Sequence, residues 1–169
     1  EIDREVDYRL TGIGRAYGPP TDFSGTHSYL YRNDNGRFVD VTQDAGITVN
    51  QAGSELAVGK GLAVLLIDIN NDGWLYLAVA NDTVRNFLFV NQQDGRFVER
   101  GIDYGFAFDS AGLATGAMGI DAARNGVDGS LSLAIGNFAN EMSSFYVLRD
   151  GEEVFSDNAI VAGIGADSR

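Results

Sequence analysis

"DINNDGWLYLAVAND", residues 68–82, sets a run of side-chain oxygens between two apolar stretches. Asp68, Asn70 and Asp72 stand at positions one, three and five with Gly73 at six, the spacing by which a short loop gathers oxygen ligands around a hard cation. The same Asn-Asp-Gly letters between apolar runs are equally the signal of a tight hairpin turn. Either way a strand lies on each side. The run 62–67 is bounded by turn residues and is short for a helix, so it is expected to be an inner strand covered on both faces.

Working outward, one phrase recurs. "YLYRNDNGRFVDV" begins at Tyr29, "FLFVNQQDGRFVER" at Phe87 and "FYVLRDGEEVFSD" at Phe145, a spacing of 58 residues each time. Each copy reads as an aromatic and aliphatic strand, an Asn/Asp/Gly turn and a short strand opening on or near Phe, which is a hairpin. Upstream of the third copy, Gly119, Asp128, Gly129, Leu133 and Asn137 answer to Gly61, Asp72, Gly73, Leu77 and Asn81. The unit is therefore four strands long, the length of one β-propeller blade. The linking stretches carry Gly-Ile pairs at 46–47, 101–102 and 163–164.

This organises the chain as an irregular segment 1–28 with a strand near 7–10, an outer hairpin 29–42, full units at 61–100 and 117–157, and a run-in to a further unit at 158–169. The expected fold class is all-β, a segment of about two and a half to three four-stranded antiparallel blades. Such a segment leaves apolar sheet faces open, so it belongs to a larger ring or is completed by assembly, as a homo-oligomer or larger association.

Composition narrows the partners. Twelve Lys and Arg against 24 Asp and Glu leave a net charge of -12, which argues against nucleic acid and anionic lipid. No apolar run approaches the ~20 residues that span a bilayer, and with no cysteine there is neither a disulfide nor a thiolate metal site. The chain opens at Glu1 without a signal peptide, as a mature product or a fragment does. The single histidine, His27, sits among close sequence neighbours Asp22, Ser24 and Ser28, a poor source of the converging groups that catalysis needs. The glycine clusters at 12–18 and 163–168 read as turns rather than phosphate loops. Asn81-Asp82-Thr83 forms a glycosylation sequon.

The blades resemble the FG-GAP/VCBS type of repeat, found in integrin α-chains and in secreted propellers of the cartilage acidic protein type. The likeness covers 29–164 and rests on "GLAVLLIDINNDGWLYLAVAND" followed by "NFLFVNQQDGRFVE". It implies a seven-bladed ring, an extracellular location, and calcium held by the side chains of Asp68, Asn70 and Asp72 with the Trp74 carbonyl. At the ninth position the family has Asp and this chain has Tyr76. In the third unit Arg124, Gly126 and Ser132 replace the ligands, so no cation is expected there, and Arg124 is expected to pair with Asp128. An EF-hand is disfavoured by Val79 at position twelve. The implied function is a non-enzymatic extracellular adhesion or scaffold module. Alternatives are a glycan-binding propeller, with Tyr29, Tyr31, Phe87, Phe89, Phe145 and Trp74 as stacking surfaces instead of packing between blades, or an accessory domain of a secreted enzyme.

Overall fold

The computed structural model describes residues 8–168. Among them every sheet is antiparallel, and helix is confined to two 3-10 turns, Pro20–Asp22 and Ala166–Ser168. The N-terminal strand expected near 7–10 is β1 (Arg9–Leu10), paired with β2 (Gly14–Arg15); Asp7 lies outside the described residues. A second hairpin joins β3 (Tyr31–Asp34) to β4 (Arg37–Asp40). Its two-residue tip, Asn35-Gly36, has φ of 54° and 96°, the left-handed pair that a hairpin matching strand twist requires.

Two four-stranded sheets follow. The first runs β5 (Gly61–Ile67), β6 (Tyr76–Asn81), β7 (Phe87–Asn91), β8 (Phe97–Glu99) in sequential order. The second repeats it with β9 (Ala117–Arg124), β10 (Leu131–Asn137), β11 (Ser144–Leu148) and β12 (Ser156–Asp157). Even the irregularities match, since both first-to-second strand ladders slip next to the same asparagine, Asn81 or Asn137.

Register corrects the repeat read from the sequence. Gly61 pairs with Asn81, and the residue that pairs with Asn137 is Ala117, not Gly119. The pair Val79–Phe87 corresponds to Ile135–Ser144, and Phe89–Glu99 to Tyr146–Asp157. The spacing is thus 56 residues in the first two strands, 57 in the third and 58 in the fourth. Single-residue insertions between strands two and three and between three and four spread it. Phe145 is consequently the counterpart of Leu88 rather than of Phe87, and the similar lettering of the two phrases hides a change of face.

The sheets are joined through their side chains. Tyr76, Ala78, Ala80 and Leu88 from one sheet meet Leu131, Leu133, Ile135, Tyr146 and Leu148 from the other in one buried cluster, with Phe106 from the linker wedged between. The opposite face of the first sheet, Val79, Phe87 and Phe89, is closed by Ala45 and Ile47 and by Leu30 and Val41 beside the β3–β4 hairpin. Strand β5 departs from expectation. Ala63, Leu65 and Ile67 pack on the shared core while Leu62, Val64 and Leu66 are exposed. Only one face is covered, because among the described residues no inner strand of the first unit stands opposite it.

Candidate functional site

The stretch 68–75 is an eight-residue loop, since the last ladder pair is Ile67–Tyr76. A two-residue turn is therefore not its form. Asn71 (φ 59°) and Gly73 (φ 85°) take left-handed backbone, and the side chains at one, three and five tie the loop down from within. Asp68 accepts the Asp72 N–H at 3.2 Å and the Gly73 N–H at 2.9 Å. Asn70 Oδ1 accepts the same Asp72 N–H at 3.3 Å, and Asp72 accepts the Trp74 N–H at 2.8 Å. Two oxygens sharing one N–H have converged, and each keeps a lone pair for a cation. Among the described residues no donor meets the Trp74 carbonyl.

Asp72 also receives the Asn70 amide and, from the β7–β8 turn, the Gln93 amide. These bonds, that of Asn70 first and the Trp74 N–H next, hold its carboxyl below the usual carboxylate range. The ninth position belongs to the core. The Tyr76 ring is buried edge-on to Tyr104, at 6.3 Å between centroids, and burial pushes its hydroxyl up to about 12. The donor set is thus two carboxylates and an amide oxygen, which suits a hard cation but is poorer than a loop with three carboxylates. Among the described residues no group of three or more His, Cys, Asp or Glu side chains is placed to hold a metal.

Arg124 does not pair with Asp128. Its guanidinium crosses to the first sheet and donates to the carbonyls of Asp68 at 2.8 Å and Ile69 at 3.1 Å, while Asp128 accepts the Ser130 N–H and hydroxyl. The side chain that replaces a ligand in the third unit therefore braces the loop of the second. His27 is half-buried and bonds Asn50. Asn81 is fully buried, accepting the Lys60 N–H and donating to the Arg85 carbonyl, so its sequon has no free amide in the folded chain.

A second feature escaped the sequence reading. After each fourth strand the chain makes the same turn: Val41–Ala45, Arg100–Tyr104 and Asn158–Ala162 each close through a carbonyl-to-N–H bond four residues on. A left-handed glycine follows, Gly46, Gly105 or Gly163, then an apolar residue, Ile47, Phe106 or Ile164. The second member is thus Tyr104-Gly105-Phe106, not the Gly-Ile at 101–102. The turn carbonyl then links units, for Ala45 accepts the Phe97 N–H at 2.8 Å and Tyr104 accepts the Phe155 N–H at 2.9 Å. The signal available was a glycine before a large apolar residue a fixed distance past an acidic one, Asp40, Glu99 or Asp157. Two of these carboxylates, Glu99 and Asp157, accept the N–H groups of Leu88 and Gly101, or of Phe145 and Ala159.

No protein-family model matches the chain, and no curated protein matches it.

Proposed function

We propose that the chain is a segment of an FG-GAP/VCBS-type β-propeller that serves as an extracellular structural or adhesion module, with calcium stiffening the Asp68 loop. The observation that carries this reading is the recurrence, between successive units, of one contact: a turn carbonyl and left-handed glycine of one unit receiving the fourth strand of the next. Face-to-face four-stranded units joined this way, with first strands side by side, are the way blades follow one another around a ring. Calcium would be held by the side-chain oxygens of Asp68, Asn70 and Asp72 and by the Trp74 carbonyl, and would supply a fixed positive charge that locks the loop.

A glycan-binding role has one observation in its favour, the exposed stack of Tyr29 on Tyr31 at 6.2 Å and 20°. Those positions correspond to Phe87 and Phe89, which are buried between units. We therefore read the stack as a packing face.

The test is a thermal melt in millimolar calcium and again in EDTA. Binding to the native state alone raises the melting temperature by mass action, and the rise is expected to vanish in Asp68→Ala, whatever that variant's own stability. Superimposable wild-type melts would remove calcium from the proposal.

A further inference from the structure

In the third unit Arg124 occupies the place that Asp68 holds in the second. The ladder pairs Ile67–Tyr76 and Ala123–Ser132 correspond, and Asp68 and Arg124 are each the next residue along the strand. Where the second unit carries a carboxylate, the third carries a guanidinium. Arg124 is itself paired with Leu131, so its backbone is fixed in the second sheet and its side chain reaches out from a rigid base.

The reach ends on the first two residues of the Asp68 loop. Arg124 Nη2 donates to the Asp68 and Ile69 carbonyls, whereas the Asp68 carboxylate is taken up by the N–H groups of Asp72 and Gly73. Arg124 therefore uses none of the side-chain oxygens that face a cation. Ile69 adds a second anchor, because its side chain is buried in the core shared by the two sheets, in the same cluster as Leu131 and Leu148. Beyond it, residues 70–74 are all exposed. The loop is thus held at its origin by the second sheet and open at its tip.

We propose that Arg124 is a positioning residue for the cation site, so that the site is completed by both sheets and not by the loop of one. The inference rests on the calcium reading and extends it. A loop whose first peptide units are already fixed has less ordering left to do when the ion arrives, and that favours binding. The positive charge of Arg124 acts the other way. It is exposed, however, and salt screens it over ~8 Å at physiological ionic strength. Positioning therefore outweighs repulsion. By linkage, an ion whose binding is aided by the second sheet strengthens in return the hold of that sheet on the first.

Trp74, the chain's single tryptophan, lies in the loop and reports on it directly. Calcium is titrated into the metal-stripped chain while Trp74 emission is followed. Arg124→Ala is expected to weaken calcium binding by about tenfold or more, as the loss of a group that orients a ligand does. Arg124→Lys keeps a charged donor without the planar fork and is expected to fall between the two. Arg124→Met, which keeps the stem and removes the donors, replaces the alanine variant should that fail to fold. In EDTA the anisotropy of Trp74 is expected to drop in Arg124→Ala, because the loop is looser before any ion binds. A wild-type chain that binds calcium beside an Arg124→Ala or Arg124→Met variant that binds it equally well or better would overturn the inference and leave the calcium reading in place. A wild-type chain that takes up no calcium would end that reading and this inference with it.

Discussion

Asn81 shows how one buried amide holds a strand end. Its side chain satisfies the Lys60 N–H and the Arg85 carbonyl, and its own N–H reaches the Asn86 side chain. Truncation orphans two backbone groups, so Asn81→Ala is expected to lower the unfolding free energy by about 3 kcal/mol in urea titrations. Asp82 next to it behaves oppositely to Asp72. Burial, and Glu141 nearby, raise its carboxyl above the usual range, with Lys60 only partly offsetting them. A raised folded-state value means stability is lost as pH rises through it. Asp82→Asn is therefore expected to melt higher than wild type at neutral pH and to lose that advantage in acid. The lowered Asp72 gives the reverse sign, its contribution being present at neutral pH and disappearing as pH falls below about 4. The oxygen pattern at 68–73 was plain in the sequence because ligand spacing is local. Arg124 was not, because its partners lie 55 and 56 residues away and the topology alone brings them together.

Among the elements, β5 and the linking turns carry the sharpest contrasts. Leu66 and Leu88 are both strand leucines in the first sheet, but Leu66 is exposed and Leu88 is fully buried. Leu88→Ala is expected to cost about 3 kcal/mol and Leu66→Ala under about 1 kcal/mol. Gly105 and Gly163 offer a matched pair at φ 67° and 77°. Alanine at either bears a left-handed strain of about 1 kcal/mol, but at Gly105 its Cβ also collides with the Phe155 carbonyl. The melting temperature of Gly105→Ala should fall well below that of Gly163→Ala. Equal losses would mean that the close approach of the Phe155 carbonyl to Gly105 adds nothing to the backbone strain common to both turns. Four-strand units were legible because aromatic hairpins and Asp-Gly loops recur in order. Their register was not, since a one-residue insertion leaves the letters similar while moving each side chain to the other face.

At the scale of the molecule, two sheets share one core and a third surface is only half supplied. The sequence signalled the repeat and the all-β class, but treated the run 62–67 as covered on both sides. A strand's burial depends on what stands opposite, and no local pattern carries that information. Besides the shared core, the contact that recurs between units is the pair of turn bonds, so native-state hydrogen exchange at the amides of Phe97 and Phe155 is the most direct measurement. If these bonds are equivalent seams of one stacked structure, both amides exchange only on global unfolding, with matching free energies, while the Phe38 amide exchanges fast in dilute solution. Should either Phe97 or Phe155 exchange as readily as Phe38, the units would not be joined by a common contact, and the propeller reading would lose the observation that carries it.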